Sequence, residues 1–201
     1  SLLGRGMYCD VFAGRLGGTP VALKAFVAAG DATTDAVDAE VKLLMGLRHT
    51  NIVTVFGRVQ ASPLYDPEPH RRTRFMVMEA LDVTVTRAFG SRQPEPAVAS
   101  PEAKWWLGLD IINALNFLHS HNPRVIHGDL KPDNIMLRLP PAHTNDASSG
   151  GSDGALRDFH LRPSAKLVDF GLAERQLQQH TSVVPQRRDT NDSDGSSSRG
   201  A

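Results

Sequence analysis

The chain has a single cysteine, no net charge and no long apolar run, and each shortage removes a class of protein. Cys9 has no second thiol to pair with, which excludes an intrachain disulfide and favours a reducing compartment. The 22 basic and 22 acidic side chains cancel, so the overall balance gives no case for nucleic acid or a membrane surface as the main partner. No stretch reaches the roughly 18–20 apolar residues of a membrane span, and the first residues do not have the pattern of a signal peptide. The expectation is a soluble chain, cytoplasmic or the intracellular part of a larger protein. Its 201 residues allow one large domain or two small lobes.

What is present is organised around Val125-Ile126-His127-Gly128-Asp129-Leu130-Lys131-Pro132-Asp133-Asn134-Ile135-Met136-Leu137. Two apolar runs read as short buried β segments that hold Asp129, Lys131 and Asn134 on the turn between them. Such a set suits chemistry at a phosphate. A carboxylate accepts a hydroxyl proton, a lysine neutralises charge on the moving phosphoryl group, and an amide oxygen ligates magnesium.

The earlier chain supplies candidate partners. Gly4-Arg5-Gly6 opens a glycine-rich turn between two strands, where backbone amides can approach phosphate oxygens, although a glycine hairpin with no ligand has the same composition. A third strand, Val21-Ala22-Leu23-Lys24-Ala25-Phe26, carries a lysine that needs an anionic partner if it is buried and none if it lies on an edge. Asp31 to Leu47 has the helical spacing of Val37, Val41 and Leu44, with Glu40 on the same face as Leu43, Leu44 and Leu47. Glu40 either meets Lys24 or is a solvated helix glutamate. Ile52 to Val59 and Arg74 to Leu81 read as strands four and five, separated by a proline-rich loop.

After a connector at 90–99, Ser100-Pro101-Glu102 starts a helix that runs to about His121 and stops at Asn122-Pro123. Leu109, Ile112, Leu115 and Leu118, with Trp105, are expected to form its core stripe. His119 and His121 lack the spacing of a metal site. Residues 139–164 are rich in Ser, Gly, Pro, Asp and Asn and read as a flexible insertion. Ala165 to Val168 is a short strand leading into Asp169-Phe170-Gly171, and from Leu177 the chain is polar again, with a disordered-looking end.

Taken in order, these segments resemble the eukaryotic protein kinase family: Gly4-Arg5-Gly6-Met7-Tyr8-Cys9-Asp10-Val11 for G-x-G-x-x-G-x-V, then Val-Ala-Leu-Lys24, Glu40, His49-Thr50-Asn51-Ile52-Val53, His127-Gly128-Asp129 and Asp169-Phe170-Gly171. The resemblance implies an α+β, two-lobed fold, with a β-rich small lobe and hinge at 1–81 and an incomplete, mainly helical large lobe at 82–176. It implies ATP and Mg2+ as cofactors and a protein substrate offering a serine or threonine. By the same likeness Lys24 holds phosphates and pairs with Glu40, Asp129 is the base, Lys131 contacts the γ-phosphate, and Asn134 and Asp169 bind magnesium. Gly4 and Gly6 cover the phosphates, Val11 and Ala22 enclose the adenine, and backbone groups of Glu79 and Leu81 meet its edge below Met78. Leu44, Val55, His127 and Phe170 match the four stacked positions of the active form.

Lys131, two residues after the aspartate, is similar to serine/threonine rather than tyrosine kinases, and the loop as a whole looks like the tyrosine-kinase-like group. Three features depart from the family pattern. Cys9 replaces the third glycine, Gly128 replaces the arginine that pairs with a phosphorylated activation loop, and no Ala-Pro-Glu follows. Truncation in the activation segment is therefore expected, and two other functions stay open. One is a nucleotide-binding pseudokinase or interaction module. The other is a small-molecule kinase of the aminoglycoside or choline type, which shares His-Gly-Asp.

Overall fold

The hairpin of β2 (Asp10–Leu16) and β3 (Thr19–Val27) turns through Gly17-Gly18, whose φ angles of 55° and 87° are those a tight two-residue connection with the correct twist requires. Strands β1 (Leu2–Arg5), β4 (Val55–Gln60) and β5 (Thr73–Glu79) complete an antiparallel sheet in the order β1-β2-β3-β5-β4. In this computed structural model residues 1–5, 9–27, 31–60, 73–90, 94–141 and 162–176 are described. Gly6, the expected loop at 61–72, the interior of the expected insertion (142–161) and everything from residue 177 lie outside them.

Helix α1 (Asp31–Gly46) packs beside the sheet. Val37, Val41, Leu44 and Leu47 recur at helical spacing and are all buried. Strand four starts at Val55 rather than Ile52, because the preceding residues bond elsewhere. The Val53 N–H donates to the Leu167 carbonyl (3.0 Å), the Leu167 N–H to the Asn51 carbonyl (2.9 Å), and the Asn51 side chain to the Ala165 carbonyl (3.0 Å). These bonds tie the sheet region to β9 (Ser164–Leu167).

Beyond the sheet come β6 (Val83–Thr84), α2 (Val85–Gly90), a 3-10 turn (Pro96–Val98) and α3 (Pro101–Ser120). The first two were not legible in the sequence. The α3 start is as expected, with Ser100 Oγ accepting from the Ala103 N–H at 3.0 Å. Its core face is not. Only Leu118 of the expected stripe is fully buried, while Ile112 and Trp105 are 60% and 67% exposed. The buried face is Ala103, Leu107, Asp110, Ala114 and Leu118. Asp110 hides that face from a reading of apolar spacing. Its carboxylate is buried because Arg162 grips both oxygens (3.0 and 3.1 Å) and the Ala165 N–H bonds it at 2.9 Å.

The remaining strands are β7 (Arg124–Ile126), β8 (Ile135–Arg138) and β10 (Glu174–Gln176). The two β segments flanking the central loop do not pair with each other. β8 joins β6 and β9, and β7 pairs antiparallel with β10. The loop is thereby anchored at its two ends to different sheets.

Candidate active site

The register of the sheet sets Lys24 opposite Val11 on β2 and Met76 on β5, and sets Ala22 opposite Ala13 and Met78. Cross-strand partners share a face, and residues two apart on one strand do too, so Val11, Ala22, Lys24 and Met78 lie on one side. Lys24 is central in the sheet and 6% exposed. Its Nζ donates to Glu40 Oε1 at 2.9 Å and to Asp169 Oδ1 at 2.7 Å. Burial alone pulls the Lys24 pKa down, but the two carboxylates outweigh it and the net movement is upward. The ammonium is thus charged where it stands, with Glu40 at 6% exposure and Asp169 open to solvent.

Asp129 follows His127 and Gly128 at the end of β7. Its Oδ2 accepts from Lys131 Nζ (2.7 Å) and from Asn134 Nδ2 (2.8 Å), and its backbone carbonyl accepts from the same Asn134 nitrogen (2.9 Å). The Lys131 hydrogen bond is the main reason the Asp129 pKa lies below the usual carboxylate range, so the group is an ionised acceptor near neutrality. Asn134 ends the 3-10 turn Pro132–Asn134 and is buried. With Nδ2 committed to Asp129, its oxygen is the atom left for a hard cation. The Val168 N–H donates to the Asn134 carbonyl at 3.0 Å, which brings the chain just before Asp169 alongside Asn134. An amide oxygen and a carboxylate suit magnesium, which keeps waters and phosphate oxygens in its shell. Among the described residues no group of three or more His, Cys, Asp or Glu side chains is placed to hold a metal.

Asp169 has φ of 61°, a left-handed conformation that is costly for a residue with a side chain and is concentrated at functional sites. Leu44, Val55, His127 and Phe170 are all buried, at 2, 8, 2 and 2% exposure. The His127 and Phe170 rings are 4.6 Å apart. His127 Nε2 donates to the Val168 carbonyl (3.0 Å), while Nδ1 accepts from the Asp129 N–H (3.3 Å), which is the pattern of a neutral ring. Burial pushes its pKa below the ordinary 6.5.

A pH effect follows. Above about pH 6.5 the ring is neutral in both folded and unfolded chains. As the pH falls through that value the unfolded chain takes up a proton that the folded ring resists, so stability is lost on acidification. His49, also depressed by burial, acts in the same direction. The urea midpoint is expected to fall between about pH 7.5 and about pH 5.5. It should fall less in His127→Phe, and equal slopes would show that His127 is not the responsible group.

The expected hinge residue Glu79 ends β5, and Leu81 is half-buried just beyond. The Glu79 N–H donates to the Thr54 carbonyl at 2.9 Å. Its carboxylate is held by Lys166 Nζ (2.7 Å), the Thr54 N–H (2.7 Å) and Arg138 Nη2 (2.6 Å). Burial raises the Glu79 pKa, but the Lys166 and Thr54 hydrogen bonds more than reverse this, leaving it lowered. Sequence reasoning missed Lys166. The signal was available, since a lysine inside Ala165-Lys166-Leu167-Val168 raises the same demand for an anion as Lys24 does. Gly4 is exposed, with open space around its Cα, while Gly6 is outside the described residues.

This geometry is that of a protein kinase domain, and the protein kinase domain family matches residues 1–194. The chain belongs to that family. It is similar to U-box domain-containing protein 32 of Arabidopsis thaliana, 32% identical over 136 residues, which is 67% of the chain and 15% of that protein. It is also similar to the probable serine/threonine-protein kinase roco8 of Dictyostelium discoideum, 33% identical over 132 residues (65% of the chain, 6% of the relative). The probable serine/threonine-protein kinase SIS8 of Arabidopsis thaliana is 30% identical over 138 residues (67% and 12%). The chain therefore spans 15% or less of the length of these three relatives. No helix among the described residues is long and apolar enough to cross a membrane.

Proposed function

We propose that the chain binds Mg2+-ATP between a small lobe with its hinge (1–81) and a large lobe (82–176), and transfers the γ-phosphoryl group to a serine or threonine of a protein. The observation that carries this is Lys24, buried and bonded to both Glu40 and Asp169 from separate parts of the chain. That arrangement aims a fixed positive charge at phosphate oxygens. Val11 and Ala22 flank the adenine, the Glu79 and Leu81 backbone meets its edge, and the Gly4 backbone covers the phosphates. Asn134 and Asp169 supply oxygen ligands for magnesium, which neutralises phosphate charge when bound. Asp129 takes the hydroxyl proton as the new P–O bond forms and the bond to the leaving ADP oxygen breaks. Lys131 balances charge on the transferred group. Its place two residues after Asp129 and the serine/threonine kinases among the relatives support those two hydroxyls as acceptors.

The test is label transfer from γ-labelled Mg2+-ATP to a serine- and threonine-rich protein, followed by phosphoamino acid analysis. Phosphoserine or phosphothreonine is expected. Phosphotyrosine alone, label only on an amino-alcohol or aminoglycoside, or nucleotide binding with no transfer would each overturn the proposal.

A further inference from the structure

Gly128 is the one departure in the central loop, and the structure gives it a neighbour. Its φ is +79°, and a Cβ built on it would lie 2.3 Å from the Leu172 carbonyl oxygen and 3.0 Å from the Leu172 carbonyl carbon. No real side chain approaches backbone so closely. Leu172 follows Asp169-Phe170-Gly171 directly, in a turn closed by the Ala173 N–H on the Phe170 carbonyl at 2.9 Å. From there the chain enters β10, which pairs with β7 through Glu174 opposite Ile126. The Leu172 carbonyl thus rests on the loop two residues past that pairing and one residue before Asp129. Other links at this crossing are His127 to the Val168 carbonyl, the His127–Phe170 ring contact and the Val168 N–H on the Asn134 carbonyl.

We infer that Gly128 is a positioning residue: the absence of a side chain lets the Leu172 carbonyl seat against the loop and so sets Asp129 and Asp169 in register by backbone packing. Any side chain at 128 must move Leu172, and with it the segment that begins at Asp169, or must turn Gly128 and displace Asp129. An arginine restored at this position would disturb the site instead of adding a phosphate-responsive contact. The kinetic consequence rests on the kinase reading, but the packing does not.

The test is hydrogen exchange and phosphotransfer on the whole chain with Gly128→Ala, Gly128→Asn and Gly128→Arg. Asparagine tolerates positive φ, yet carries the same Cβ, so it separates backbone strain from collision. All three are expected to lose at least about tenfold protection at residues 173–176, with protection in α3 unchanged, and to lose kcat by a similar factor while the ATP KM stays within about twofold. Wild-type protection at 173–176 in the arginine variant, or full recovery in the asparagine variant, would overturn the inference. So would a lack of protection there in the wild-type chain, a measurement that needs no variant to fold. Exchange also needs no turnover, so an inactive wild type would count against the kinase reading alone.

Discussion

Asp129→Asn is expected to lower phosphotransfer by about 10²–10⁴-fold, the range for removal of a positioned general base. Asparagine keeps the shape and can still hydrogen-bond, so Lys131 and Asn134 retain a neighbour while the proposed proton acceptor is lost. The Asp129 carboxylate is held by Lys131 at 2.7 Å and by Asn134 at 2.8 Å, both from its own loop. The loss should therefore appear in kcat, with the KM for ATP little changed, because Asp129 is proposed to act on the hydroxyl and not on the nucleotide. Steady-state kinetics on wild type and variant would decide. Activity within tenfold of wild type would remove Asp129 from the role of base and leave its charge as a positioning feature.

The second large effect lies behind the proposed hinge. Lys166→Met takes away a cation whose side chain is 10% exposed and leaves Glu79, at 11%, without its innermost partner. Removing one member of a buried pair typically costs about 3–5 kcal/mol. The lower end applies here, because Arg138 still reaches the other Glu79 oxygen. Urea unfolding near neutral pH measures it. The double variant Lys166→Met, Glu79→Leu should recover most of the loss, since an apolar pair of similar size needs no desolvation of charge. A Lys166→Met chain within about 1 kcal/mol of wild type would show that the pair contributes little. The Glu79 contribution is present above the ordinary carboxylate pKa of 4.5 and is lost as the pH falls through its lowered folded value. The same contacts fix the backbone at which adenine is proposed to bind, so the single variant should also raise the KM for ATP.

The two parts of the chain were unequally legible. In the sheet region the periodicities are local, and strand identities, the buried face of α1 and the Lys24–Glu40 pair followed from residues close in sequence or from a simple demand for charge neutrality. In α3 the same logic selected the wrong face. Apolar residues occur around more than one side of that helix, and the side that is buried contains Asp110. Its partner Arg162 stands 52 residues away, and no spacing rule connects them. Lys166 is a similar case, a charge made acceptable in the interior by Glu79 from another strand, 87 residues earlier.

By itself the sequence determined the order of the main elements and the chemical identity of most site groups, because side-chain chemistry and short-range periodicity are written in neighbouring residues. Tertiary structure decided which groups distant in sequence meet. Asp169 lies 145 residues from Lys24, yet the two are 2.7 Å apart, since β9 docks on the segment before β4 and delivers Asp169 below β3. It also decided what Gly128 is for. In sequence it was a missing arginine, whereas in space it is the gap through which the Leu172 carbonyl reaches the loop, a contact set by the meeting of β7 with β10 and visible only once both strands are in place.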